Sequence, residues 1–290
     1  MRRPLGRLLG LAWLLGLGAA ALADEGSGGI RWQPETVEPG GILLLTVRGV
    51  GPEGVRGSLG STPLAFFPTP DGAAALVGAD LELAARALPW RLIVRDGVGP
   101  SRQISGRLPV RSREFPTQQL TLPRDQVDLD PQTLARVEAE AARLRGVLEG
   151  RTPGRFWQGA FVRPVEGRET GGFGLRRIIN GQPRSPHAGF DWAAPAGTPV
   201  VAANTGVVAL VDEQFFPGRL VVLDHGLGLF TLYFHLEAVE VAEGERVGRG
   251  WRIGRVGATG RATGPHLHFG VRLAGARVDP QALLRLPLPD

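Results

Sequence analysis

Apolar positions fall into two textures along this 290-residue chain. Between Ile30 and about Arg113 they form short continuous or alternating runs separated by turn residues. These include GILLLTVRG at 41–49, LAFFPTP at 64–70, AALVGADLEL at 74–83 and WRLIVRDG at 90–97. Runs of this length bounded by Gly, Pro and Asp predict strands. Their spacing predicts a small antiparallel sandwich, immunoglobulin-like in architecture, over residues 30–115. Across 128–149 the period changes: Leu134, Val137, Ala141, Leu144 and Leu148 recur every three or four residues, which is one face of a helix. Asp130 is its candidate cap, Pro131 fits the first turn, and Gly150 stops it. This linker helix is expected to pack between two domains with its charges in solvent. From Phe161 the β texture returns in TPVVAANTGVVALV, GRLVVLDHG, LFTLYFHL and HLHFGVRL, followed by a short C-terminal helix in PQALLRL. The pattern therefore predicts a mainly β protein, with a second, antiparallel β domain over residues 155–285.

The first 23 residues stand outside both textures. A basic MRRPLGR, an uncharged LLGLAWLLGLGAA and then Ala21-Leu22-Ala23 before Asp24 predict a secretory signal peptide at 1–23. The apolar run is short for a membrane-spanning anchor. The expected location is therefore the periplasm, cell envelope or exterior, without stable membrane insertion after cleavage. Cysteine is absent, which excludes disulfides, a lipid anchor on Cys and the Cys-based structural zinc classes. The pI of 11.0 does not imply a nucleic-acid partner. All 33 basic residues are Arg, and losing Arg2, Arg3 and Arg7 with the signal lowers the formal net charge from +5 to +2. The remaining Arg residues are interspersed with acids, so no duplex-binding footprint is visible.

The five histidines all lie between positions 187 and 268. Such clustering points to a shared site. In His187-Ala-Gly-Phe-Asp191, the flanking Pro186 and internal Gly189 oppose a helix, so the pair belongs on a loop entering a strand. In His266-Leu-His268 the two imidazoles share one strand face. His235 sits in another apolar strand, Tyr233-Phe-His-Leu236. Each element alone is weak. Together they can supply two imidazoles and a carboxylate, the donor set of a catalytic zinc that keeps its fourth position for water. Two histidines would then remain for acid–base work and oxyanion stabilisation.

In order along the chain come Gly172-Phe-Gly-Leu-Arg176, His187-x3-Asp191 with Trp-Ala-Ala-Pro-Ala-Gly-Thr-Pro-Val, and Asp224-His225-Gly226. Tyr233-Phe-His235-Leu236, Gly257-Ala-Thr-Gly260, Thr263-Gly-Pro-His-Leu-His-Phe269 and Val278-Asp-Pro280 follow. This series resembles the lysostaphin-type (LytM-like, M23) zinc endopeptidases from about Phe161 to Leu284. The resemblance implies one Zn2+ per chain on His187, Asp191 and His268. It also implies that His235 and His266 act on water and the tetrahedral oxyanion. His225 corresponds to a non-catalytic family feature and is read as structural. Arg176 and Asn180 are read as loop scaffolding, with Asn180 a candidate for the cleft edge. The implied substrate is peptidoglycan, cut in Gly-rich bridges or D-Ala–diamino-acid cross-links. A non-enzymatic alternative is a regulator that activates another cell-wall hydrolase. The N-terminal sandwich is a candidate spacer, or a docking module for a cell-envelope protein.

Overall fold

The computed structural model describes residues 29–95, 97, 99–121 and 129–288. The predicted signal peptide and Asp128, where the predicted helix segment begins, lie outside the described residues. The N-terminal half is two four-stranded antiparallel sheets. One orders Ile30–Gln33, Ile42–Arg48, Gly72–Gly78 and Phe66–Thr69. The other orders Thr62–Pro63, Val55–Leu59, Ala87–Val94 and Arg102–Pro109.

The run GILLLTVRG is apolar throughout because its strand is covered on both faces. Leu43, Leu45 and Val47 point into the interior between the two sheets, while Ile42 and Leu44 join the core of the second half. The neighbouring strand repeats this division, with Ala73 and Val77 inward and Ala74 and Leu76 outward. A strand buried on two sides loses its alternation. The outer face of this sheet is thus occupied by the second half of the same chain. Phe67 meets Trp157 edge to face at 5.6 Å. AALVGADLEL stops being a strand at Gly78, because Asp80 turns away to take Arg277 at 2.6 and 3.1 Å. Arg113 binds Asp279 across the same junction at 2.9 Å.

The second half is built on a ten-stranded antiparallel sheet. Its main path runs Arg168–Gly171, Gly189–Ala193, His266–Leu273, Leu229–Val239, Gly218–Asp224, Gly206–Gln214 and Arg246–Val247. Arg252–Val256 branches from Leu229–Val239 and carries Pro199–Val201, and Ala276–Val278 extends His266–Leu273. A fourth, three-stranded sheet joins the hairpin Arg176–Ile179 and Gln182–Arg184 to Thr117–Leu120, which pairs with it in parallel. This last strand follows the predicted end of the sandwich and belongs structurally to the second half.

The helix spans Pro131–Leu148, and Asp130 caps it by accepting from the backbone N–H groups of Gln132 and Thr133 at 2.9 and 3.0 Å. It does not lie between the halves. Leu144, Val147 and Leu148 pack on Leu210, Leu220, Val222, Phe230 and Leu232, the back of the large sheet. Leu134 stays 46% exposed. The reason is geometric: the sheet's hairpin ends near Gln214, where the Phe215 N–H donates to Glu140 at 2.7 Å, and the first turns project past it. Glu140 is accordingly a capping group for that hairpin rather than a solvated charge.

Candidate active site

The cleft lies where Gly189–Ala193, His266–Leu273 and Leu229–Val239 run side by side. Antiparallel register puts Asp191 opposite His268, and His268 opposite Phe234. Directly opposed residues share a face, so these side chains meet. His187 precedes the strand and is tied down by backbone bonds: Gly174 N to its carbonyl at 2.8 Å, and its own N to Leu175 O at 2.9 Å. The Gly172–Arg176 segment therefore acts as the brace of His187. Two glycines make room. A Cβ at Gly171 would lie 2.3 Å from Asp191 Oδ2, and one at Gly189 would lie 2.5 Å from His268 Nε2.

His187 Nε2 lies 2.9 Å from His268 Nδ1 and 3.0 Å from Asp191 Oδ1, and those last two atoms are 2.8 Å apart. The other nitrogen of His187 is 2.9 Å from the Gly172 carbonyl oxygen, to which Nδ1–H donates. That bond fixes the tautomer and leaves Nε2 with its lone pair toward Asp191 and His268, as in metal-binding histidines. Among the described residues, His187, Asp191 and His268 are the one group of three or more His, Cys, Asp or Glu gathered closely enough to hold an ion. Burial alone would raise the Asp191 pKa. The close contacts with His187 and His268 outweigh it and hold the carboxyl well below its usual range. Burial lowers His268 to about 4 despite its bond to Asp191. A neutral His268 beside an ionised Asp191 matches the ligand states a divalent cation requires.

His235 reaches the cleft by breaking the rule of alternation. In a regular strand it would share the face of Tyr233, which is buried in the core, and not that of Phe234, which stacks on His268 at 5.1 Å. Its φ of 64°, rare for a residue with a Cβ, turns it so that Phe234 and His235 both line the cleft. Its Nδ1–H donates to Thr259 O at 2.8 Å, which leaves Nε2 as the acceptor. Burial first, and His268 second, lower its pKa to about 3, so it is neutral at physiological pH. His266 lies beside it with ring centroids 4.6 Å apart, and its Nδ1–H donates to Gly264 O at 2.9 Å.

The remaining sequence candidates fall outside the cleft. His225 is fully buried, 2.8 Å from both Thr205 O and Thr231 Oγ1, and Thr231 continues to the Tyr233 hydroxyl at 3.0 Å. It is a structural crosslink, and burial lowers its pKa to about 4. Asn180 (φ 51°) and Gly181 (φ 79°) form the exposed two-residue turn of the hairpin. Asn180 does not line the cleft, and Arg176 is exposed. The sequence reading missed Gln118 and Leu120, contributed by the strand before the helix, and Arg177, Phe216 and Arg261. All line a cleft of about 780 Å³. Only the doubled Arg176-Arg177 hinted at them, and nothing distinguished its two members.

The architecture and the His/Asp/His group are those of a metallopeptidase. The sequence profile of peptidase family M23 matches residues 185–280. The crystal structure of a candidate M23 peptidase from Pseudomonas aeruginosa superposes with a TM-score of 0.65 at 33% identity, covering 85% of this chain and 94% of that one. The chain belongs to peptidase family M23. It is also similar to the peptidoglycan DD-endopeptidase ShyA of Vibrio cholerae, 42% identical over 126 residues. The DD-carboxypeptidase/endopeptidase Mpg of Neisseria meningitidis is 39% identical over 137 residues. The similarity covers 42% of this chain in both cases, but only 29% and 31% of those proteins.

Proposed function

We propose that this protein is an exported zinc endopeptidase that hydrolyses peptide bonds in peptidoglycan stem peptides or cross-bridges. The observation that carries the reading is the buried triangle of His187 Nε2, His268 Nδ1 and Asp191 Oδ1 at the floor of an open cleft, with two further imidazoles beside it. Two imidazole nitrogens and a carboxylate oxygen fit zinc in its three-ligand catalytic form. Zinc held there would supply a Lewis acid and lower the pKa of water to about 7. The chain's own groups do the rest. His235 is neutral and presents Nε2, so it can accept a proton from the attacking water. His266 has its Nδ1–H likewise committed to a carbonyl, so its Nε2 must first take up a proton, after which it can stabilise the oxyanion or deliver that proton to the departing amine. The stacked Phe234 ring covers His268 and keeps water from one side of it.

The named activities of the two relatives, on peptidoglycan, support the substrate class. The basic and apolar character of residues 1–23 supports export. One zinc per chain, and the division into sandwich, linker helix and peptidase domain, complete the proposal. A cell-envelope partner would have to use the outer face of the second N-terminal sheet, since the first is covered. The test is digestion of purified peptidoglycan with mass spectrometry of the released termini, run beside zinc analysis of the same preparations. His187→Ala, Asp191→Ala and His268→Ala should lose both metal and activity. His235→Ala and His266→Ala should keep zinc and lose on the order of a hundred- to ten-thousand-fold in turnover. Full zinc occupancy in His268→Ala would defeat the ligand assignment. A wild type that cuts no wall yet stimulates an amidase would make the regulator reading the right one.

A further inference from the structure

Two guanidinium groups line the cleft that the proposed zinc site does not call for. Of the described residues lining it, Asp191 is the sole acid. Arg177 and Arg261 line it as well. The guanidinium of Arg261 lies over the Phe216 ring at 4.1 Å, and its backbone N–H donates to Phe216 O at 2.9 Å, which pins the residue against the cleft wall. Arg177 comes from a different element, the strand Arg176–Ile179. It lies in register with Gln118 on one side and Arg184 on the other, so a third cation is close by. Buried Arg177 Nε has no hydrogen-bond partner. Neither Arg177 nor Arg261 forms an ion pair with an acid among the described residues.

Arg261 is exposed, whereas Arg177 is half-buried with its Nε sealed from water, so the unmet demand for an anion sits mainly on Arg177. An Arg side chain does not shed its charge in a protein. A guanidinium N–H sealed from water without an acceptor costs free energy. Burial lowers the pKa of both groups, and the Arg177 charge lowers that of Arg261 further, so the two repel. Asp191 attracts Arg177, but a divalent cation on Asp191 would reverse that attraction. A bound carboxylate would relieve all of these at once, because the guanidinium fork matches carboxylate geometry.

We propose that Arg177 and Arg261 form a carboxylate-binding subsite that selects peptides with a free carboxylate beside the scissile bond. The inference rests on the hydrolase reading above and narrows it. A cross-link from D-Ala to a diamino-dicarboxylic acid has a free carboxylate on the carbon bearing the scissile nitrogen, whereas a Gly-rich bridge, or a diamino acid with a single carboxyl, has none. The subsite therefore favours the first of the two substrate classes. Gln118 and Leu120 face the same cleft beside Arg177 and Ile179, so the strand that enters from the N-terminal half forms part of this wall.

The test uses the zinc-loaded wild type, Arg177→Gln and Arg261→Gln. Three peptides are compared: a D-alanyl diamino-acid amide with the free carboxylate, the same peptide with that group as a carboxamide, and a blocked oligoglycine. The readout is the carboxylate-to-carboxamide ratio of kcat/KM, with the affinity of each protein for the corresponding amine product as a second measure. The wild-type ratio should be roughly ten- to a hundredfold, the range for a hydrogen bond to a charged group. Each variant should bring both ratios toward one. A merely structural role would lower both rates together and leave the ratio intact. Equal cleavage of the two diamino-acid peptides by the wild type, or preference for oligoglycine, overturns the subsite and leaves the hydrolase reading standing. Cleavage of none of the peptides or of the wall overturns both.

Discussion

Gly189→Ala should cripple the metal site although it changes no ligand. The added methyl would meet His268 Cε1 and Nε2 at 2.5 Å and the Phe269 carbonyl oxygen at 2.6 Å, where ordinary contact begins at 3.4 Å. Either the imidazole or the strand pair must give by nearly an ångström. Functional constellations tolerate only about 0.5 Å before they loosen. The strand pair is the less yielding of the two, because Leu267 and Phe269 on either side of His268 are fully buried. Most of the displacement should therefore fall on the His268 ring and move Nδ1 away from Asp191 and His187. The expected loss of zinc affinity is about ten- to a hundredfold, as for disturbed outer-shell partners, with a stability cost of about 1–3 kcal/mol for overpacking. Zinc titration against a competing chelator measures the first, and thermal unfolding followed by circular dichroism measures the second. Gly172→Ala is the control, because its methyl would meet nothing within 4 Å. A folded Gly189→Ala protein with wild-type zinc affinity and turnover would refute the reasoning.

Three further outcomes are expected. Gly146→Ala, in the interior of the helix with open space around its Cβ, should stabilise the protein by about 0.5–1 kcal/mol in urea unfolding. His225 is neutral when folded, with its pKa lowered to about 4, whereas the unfolded chain protonates it near 6.5. Acid therefore favours unfolding, so metal-free stability should fall as pH drops from about 6.5 towards 4. The slope per such group is at most about 1.4 kcal/mol per pH unit, and His225→Gln should flatten that slope. Arg277 and Asp80 are both partly in water, so a double-mutant cycle across the junction should give a coupling of about 1 kcal/mol that weakens with salt.

What was legible in the sequence was what periodicity and short-range chemistry can encode. The Asp130-Pro131 start of the helix was readable because a cap acts on residues two and three positions away. The His266–His268 pair was readable because a strand has period two. The failures all involve what covers a face or breaks a period. GILLLTVRG looked like a strand, and Ile42–Arg48 is one. Its unbroken run also recorded a second burial partner that no local rule could name. Leu134 continues the apolar stripe of the helix, yet the stripe outlasts the sheet beneath it. His235 lay on the core side of its strand by simple counting and reaches the cleft only through a left-handed backbone that an ordinary Phe-His-Leu does not announce. Arg177 was the least visible of all. Its neighbour Arg176 has the same chemistry and points to solvent, so only the pairing of Arg177 with Gln118, some sixty positions earlier, reveals which of the two faces the cleft. A zinc site of the proposed kind can be sought in the sequence because only a few residue types can ligate the metal. A subsite for a substrate's charge can be built from any Arg the fold brings to the wall, so its residues become identifiable only once the fold is known.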